Sequence, residues 1–558
     1  MEVAMNGMEL VFLAFIFYAL AYKFYGDFLI KKFKVTDENQ TPSHTLYDGI
    51  DYVPAKAPVL LGHHFASIAG AGPIVGPVIA AGFGWLPVYL WIILGAIFIG
   101  GVHDFSSIIA SVRHKSKSIG YVIETYIGDA GKKLFLLFAW ATLILVIAVF
   151  TIIVADTFES IQSVGTASTL FIFLAILFGL MIYRLKMNLT IATIIGIVLM
   201  GLSIYAGMIF PITLSKTEWR IILLVYVFIA SVTPVWILLQ PRDYLNSFLL
   251  YAVLFGGLIG VFFAKPEINL PAYSTFSLDK VGYLFPALFV TVACGAISGF
   301  HSLVGSGTTA KQLNKETDAR IVGYGGMLIE GLLAVLSLTA VASMANQEFI
   351  EILKSKGAVT AFSLGVARFL NSIPFLGISI ETGQTFSALA VSAFALTSLD
   401  TATRLARYMF QEFFEIKTSD EEKKSNKVLG NRFVSTAITV AFGAALTFSG
   451  QSMSIWPVFG SANQLLAALA LLALTVYVAF LKEKKLFVMI PALFMFAVTL
   501  TSLGTLIYTN LVTNHFILSF ISFLLFLLAV LLGIKGYQVL TNNKHRVLEV
   551  ESIGVAEK

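Results

Sequence analysis

A few polar side chains set inside long apolar runs must carry the chemistry of this chain. Glu330 lies deep in the run 318–343, and Asp104 closes the stretch that begins at Leu61. A carboxylate in hydrocarbon is costly, so it must face the protein interior or take up a proton. Either way it is suited to carry a coupling ion. Asp400 stands in a third polar patch with Thr397, Ser398, Thr401 and Thr403. His63 and His64 precede a glycine-rich run. Adjacent residues on a helix point in different directions, so the two are a poor metal pair but a plausible pH-sensitive element. Ser298, His301, Ser306, Thr308 and Thr309 crowd a single segment. Hydroxyls beside a helix end can hold Na⁺ or line a path; the plainer reading is hydrogen bonding between helices. The ion-coupling candidates are therefore Glu330, Asp104, Asp400, His63, His64, Ser306, Thr308 and Thr309.

The elements that position them are interrupted. Residues 62–84 form an apolar run of membrane-crossing length that contains Gly70, Gly72, Pro73, Gly76 and Pro77. Gly and Pro disfavour an unbroken helix. In lipid every backbone N–H and C=O needs a partner, so a break survives only inside protein or beside a water-filled cavity. The freed groups there can bind an ion or a solute. A second candidate break is Ser231-Val232-Thr233-Pro234, closed on its inner side by Gln240, Arg242 and Asp243. A simple proline kink is the alternative. The substrate-binding candidates are Gly70, Gly72, Gly76, Ser231, Thr233, Gln240, Ser298, His301 and Thr385, the last at the outer mouth of the span that ends near Asp400.

Composition sets the environment. The chain has 558 residues, 58% hydrophobic and 12% charged, with a mean hydropathy of +0.86. Soluble domains carry roughly 25% charged residues. This is a polytopic membrane protein, an all-α helix bundle in the lipid bilayer. The net charge of +5 gives no reason to expect nucleic acid. One cysteine, Cys294, excludes an intramolecular disulfide and a cysteine-clustered metal site. HExxH, CxxC and phosphate-loop motifs are absent, so no metal, cofactor or enzymatic activity is expected and the driving force must be an ion gradient.

About fifteen apolar runs are long enough to cross. Basic loops belong on the cytoplasmic side. With the N-terminus outside, the loops 31–34, 113–133, 184–186, 311–320, 404–432 and 482–485 all fall inside, as does the tail, provided that 357–374 does not cross. The expected divisions are an N-terminal span and cytoplasmic linker at 1–61, a first core half at 62–211, and a second core half at 212–411 containing the non-spanning outer segment near 357–374. A cytoplasmic loop at 412–430, accessory spans at 431–535 and a cytoplasmic tail at 536–558 complete the chain. Paired breaks in two halves of opposite orientation suggest an inverted five-plus-five arrangement.

The motifs HHFASIAGAGPIVGP, GGVHDF, TPVWILLQPRDYLNS, GFHSLVGSGTT, ETGQTFSALAVSAFALTSLDTATRLARY and WPVFGSANQLLAALAL resemble those of the carbon starvation protein A family of prokaryotic inner-membrane carriers. The resemblance spans roughly residues 10 to 510. It implies uptake of small peptides during carbon starvation, driven by a proton or sodium gradient, with pyruvate or another small carboxylate moved with protons as the alternative. The family is also distantly similar to the amino acid–polyamine–organocation carriers. That likeness implies an inverted five-plus-five core with accessory helices, whose two discontinuous helices would start at His63 and near Ile229. A channel would show repeated filter loops, and a sensor would carry a signalling domain; neither is visible.

Overall fold

The computed structural model describes residues 5–49, 51–234, 237–278, 281–414, 416–417, 423–424, 428–449 and 452–541. The helices that build the bundle are α1 (Gly7–Lys32), α2 (Ala57–Ile68), α3 (Gly72–Ala80), α4 (Trp85–Arg113), α5 (Asp129–Ser160), α6 (Gln162–Tyr183), α7 (Leu189–Ile209), α8 (Lys216–Val232) and α9 (Leu239–Ala264). They continue with α10 (Leu284–Thr291), α11 (Gly299–Gly307), α12 (Arg320–Ala342), α13 (Ala358–Asn371), α14 (Ile380–Phe413), α15 (Arg432–Thr447), α16 (Ser452–Phe480), α17 (Leu486–Val512) and α18 (Phe516–Thr541). Two short antiparallel strand pairs, 277–278 with 282–283 and 416–417 with 423–424, lie in connections. The fold is an all-α polytopic membrane helix bundle.

Among the described residues, 11 helices are long and apolar enough to cross a bilayer, and the bent pair Ala57–Ile68 with Gly72–Phe83 makes a twelfth. The remaining apolar runs form shorter pieces. The run 220–238 ends its helix at Val232, the run 281–300 is split between α10 and α11, and 431–448 gives the 16-residue α15. The segment 357–374 holds only the 14-residue α13. Nine of the nineteen residues of the expected loop 412–430 and the tail beyond Thr541 lie outside the described residues, as does the Gln240 side chain.

Local sequence sets the helix starts. Asn6 with Glu9, and Ser215 with Glu218, form capping boxes that satisfy the first free N–H groups of α1 and α8. Burial then sorts the helices. In α12, α14 and α16, 89% of the apolar window is inside protein, against 22% in α7 and 28% in α1. Phe12, Phe15 and Phe24 on α1 point outward, a surface that only hydrocarbon solvates. The two longest helices, α5 and α14, make the most extensive helix–helix packing in the molecule. They form the post against which the broken segments stand.

Candidate transport site

The first glycine-rich run is broken where its sequence requires. α2 stops at Ile68, the chain turns through Ala69–Ala71, and α3 restarts at Gly72 with the two pieces bent by 50°. Pro73 occupies the first turn of α3, where its missing N–H costs nothing. A second interruption, at Val292–Ser298 between α10 and α11, meets it. The two breaks cross in contact. A Cβ at position 76 would lie 2.5 Å from the Thr291 carbonyl oxygen, and one at position 72 would run into the Cys294 sulfur. Only glycine permits this approach.

Backbone groups freed at the second break are met by side chains. The Trp91 indole N–H donates to Val292 O (3.2 Å), and Gln464 Nε2 donates to Phe289 O (3.0 Å). Asn463 accepts from the Phe300 N–H through Oδ1 (3.1 Å) and donates through Nδ2 to Ser298 Oγ (3.1 Å). Asn463 and Gln464 therefore hold the break open from α16.

A cavity lies at the crossing. Ile68 and Gly70 line it from the first break, Cys294 and Phe300 from the second. Val146 and Phe150 of α5, Ser398 of α14, and Phe459 and Asn463 of α16 close it. About 10 Å³ is open to a water centre, room for about one water. This is a closed form, and any larger solute requires the bundle to open. Ser398 Oγ has no hydrogen-bond partner. The helix starts at Gly72 and Gly299 bring two N-terminal ends, favourable to negative charge, to the same place.

A second group of side chains meets beside α11. Asp104 of α4 accepts from His103 Nδ1 through Oδ1 and from His301 Nδ1 through Oδ2, both at 2.8 Å. The other face of the His301 ring places Nε2 3.3 Å from Glu330 Oε2 of α12. Asp104 and His301 are 1% exposed, His103 and Glu330 0%. No water can screen these charges, so each must be answered within the cluster. Each carboxylate follows a π turn, Ala96–Gly100 in α4 and Arg320–Gly325 in α12. Such turns re-aim the residues that follow and recur at functional sites.

Residues 6–358 and 350–502 match the family described as carbon starvation protein CstA. The chain belongs to that family. It is 33% identical over 557 residues to the "Peptide transporter CstA" of Bacillus subtilis (strain 168), covering 91% of this chain and 92% of that protein. The protein of the same name in Campylobacter jejuni is 33% identical over 564 residues, covering 89% and 80%. The "Pyruvate/proton symporter BtsT" of Escherichia coli (strain K12) is 31% identical over 584 residues, covering 88% and 80%. As a member of the CstA family this chain is a membrane-embedded secondary transporter rather than an enzyme.

The CstA-family chain gathers most of its sequence-predicted site residues in three places. Gly70, Gly72, Gly76 and Ser298 lie at the crossing, and Asp104, His301 and Glu330 form the cluster beside it. His64 is near both: its Nδ1 is 2.8 Å from Thr309 Oγ1, and its Nε2 is unpartnered. His63 is half-buried on the same helix. Ser306 accepts from the Ile119 N–H and donates to Ser302 O, while Thr308 donates to Val304 O. Thr385 meets Ser163 between α14 and α6 at 3.1 Å.

Ser231, Thr233 and Asp400 belong to a separate seam. Arg407 donates to Ser231 O and Arg404 to Ala230 O and Thr233 O, so α14 takes up the last carbonyls of α8. Asp400 pairs with the buried Arg242 and accepts from Tyr226 OH at 2.9 Å. Sequence reasoning missed His103 and six residues lining the cavity, Ile68, Val146, Phe150, Cys294, Phe300 and Phe459. His103 was legible as an imidazole beside Asp104 in GGVHDF; the aromatic residues carried no signal among 48 phenylalanines.

Proposed function

We propose that this transporter carries small peptides into the cell in symport with protons, through a site at the crossing of its two broken helices. The observation that carries the reading is that crossing: two interrupted helices, glycine against backbone, enclosing a cavity beside a buried carboxylate–imidazole cluster. Relatives named as peptide transporters support the substrate class, and one named as a pyruvate/proton symporter supports the coupling ion. A specific observation favours a second reading. The cavity lining has no charged side chain to meet a peptide amine, whereas a small monocarboxylate such as pyruvate needs only the helix N-terminal ends. The site residues are Gly70, Gly72, Gly76, Ser298 and Ser398, with Asn463 as their support. Ion coupling belongs to Asp104, His301 and Glu330.

The core is an inverted five-plus-five repeat. Its support is the order of features. In each half a broken helix is followed by a helix with a π turn and a buried carboxylate, then by the longest helix of that half, α5 with 32 residues or α14 with 34. The halves run 57–264 and 284–480; the second starts later than the 212 read from sequence because the second break lies later. The pair α6 and α7 is an insertion; α1, α17 and α18 are accessory. The chain enters with its N-terminus outside and ends in the cytoplasm, with α13 on the outer side.

Counterflow tests the function. Purified protein in liposomes preloaded with unlabelled dialanine or pyruvate should concentrate the matching labelled solute transiently. Linear, non-saturating flux with both solutes would refute a carrier. Exchange of pyruvate but not dialanine would establish the second reading.

A further inference from the structure

His301 comes from the second broken helix and touches one carboxylate from each of the two helices that carry a π turn. Its Nδ1–H is committed to Asp104 Oδ2 at 2.8 Å. Its Nε2 faces Glu330 Oε2 at 3.3 Å, yet neither that nitrogen nor either Glu330 oxygen has a hydrogen-bond partner at good angles. His103 donates its own Nδ1–H to Asp104, and its Nε2 is unpartnered. The titratable groups around the cluster are accounted for. His63 and His64 approach from α2, and Cys294 lies in the break. Tyr477 of α16 is turned to Arg113, Glu124 to Lys132, and Tyr126 to His114. Lys311 faces Asp51.

The charge states follow from counting protons. With Asp104 ionised and each ring carrying its Nδ1 proton, a single further proton lies between His301 Nε2 and Glu330. The cluster then holds one net negative charge, whichever of the two atoms binds that proton. A second proton makes His301 an imidazolium and Glu330 a neutral acid at once, and the net charge falls to zero. In a water-free interior the first state repels a solute carboxylate and the second admits it.

Resting on the transport reading above, we propose that the His301–Glu330 pair is the proton carrier, with Asp104 as the residue that positions the ring, and that one proton is taken up for each carboxylate bound at the crossing. No bond other than O–H or N–H forms or breaks: the proton binds the free Glu330 oxygen on loading and leaves it after the solute. His301 sits three residues from Ser298 and next to Phe300, both at the crossing, so a change in its pairing acts directly on α11.

Uptake into liposomes with an inward proton gradient of one pH unit is the test, using labelled pyruvate and labelled dialanine. One proton per pyruvate is electroneutral and drives about tenfold accumulation, unaffected by an imposed membrane potential; dialanine, a zwitterion, should respond to both. Glu330→Gln and His301→Gln should lose the accumulation, to about onefold, while exchange remains measurable at reduced rate with a flattened pH profile. Tenfold accumulation in either variant overturns the assignment. Should a variant fail to fold, the wild type decides: binding of pyruvate in weakly buffered detergent solution should take up one proton per molecule bound, and no proton uptake overturns the proposal. Wild-type protein that neither exchanges nor binds either solute removes the transport reading itself, a result distinct from transport without proton uptake.

Discussion

Cys294 gives the proposed transport site a built-in reporter. It is the only cysteine in the chain, it lines the cavity, and it sits against Gly72 at the crossing. The closed form leaves room for about one water. A maleimide and its adduct are several times larger, so labelling can occur only when the crossing is open to one side. The labelling rate therefore reports the open fraction. A solute that binds and closes the site at one hundred times its Kd stabilises the bound form by about 2.7 kcal/mol and lowers the free fraction about one-hundredfold. Labelling with a fluorescent maleimide, read by in-gel fluorescence, should slow by about one-hundredfold with saturating substrate and about tenfold at ten times Kd. Cys294→Ser abolishes the signal and preserves the small side chain facing Gly72. A rate that ignores every transported solute would refute the placement of the site. So would rapid labelling that persists when the protein is trapped closed.

Three further outcomes follow from the same contacts. Gly76→Leu places a side chain against the Thr291 carbonyl, where a Cβ alone would be at 2.5 Å; transport should fall at least tenfold in liposome exchange while the protein still reaches the membrane. Arg242→Leu removes the guanidinium that answers both Asp400 and the buried Asp243, a loss of about 3–5 kcal/mol, whereas Asp400→Leu leaves Arg242 paired with Asp243 at 3.5 Å and should lie nearer wild type; thermal denaturation in detergent compares the two. In a Cys294→Ser background, a membrane-impermeant maleimide added to whole cells should label Asn6→Cys and Tyr273→Cys but not Thr317→Cys, since the first two lie at the outer ends and the last in a cytoplasmic loop under the proposed orientation.

What the sequence revealed depended on whether a break was local. Gly70, Gly72, Pro73, Gly76 and Pro77 interrupt a helix by their own backbone preferences, and the break stands among them. The second break, TVACGAIS, has one glycine and no proline. Its interruption is imposed by what crosses it, with Gly72 and Gly76 pressed on Cys294 and Thr291 and with Asn463 and Gln464 supplying hydrogen bonds. None of that is visible in the segment itself. Pro234 sent the opposite signal. It does end α8, but the carbonyls released there are taken by Arg404 and Arg407 of α14, which turns a candidate opening into a seam. Asp400 was legible as a carboxylate in an apolar run, but its pairing with Arg242, 158 residues away, was not. Glu330, Asp104 and His301 were each noticeable as polar groups in apolar runs, but their convergence on one imidazole is a property of the packing.

That convergence has a backbone cause. A π turn adds a residue to the helix, and one residue is about 100° of rotation. The turn at Ala96–Gly100 therefore changes which side of α4 faces α11, and Asp104 lies on the part that follows the change. The turn at Arg320–Gly325 does the same for α12 before Glu330. Without them, a helix that keeps its first turns packed on α1 and the breaks would carry its carboxylate toward a different neighbour. The two irregular turns thus aim a carboxylate from each proposed half at the same ring, which itself stands in the first turn of the second broken helix. A proton gained or lost there alters the attraction between α4, α11 and α12 together. Under the proposed mechanism the charge of the cluster and the opening of the crossing are one equilibrium, because the segment that lines the cavity with Phe300 holds the shared imidazole in its next residue.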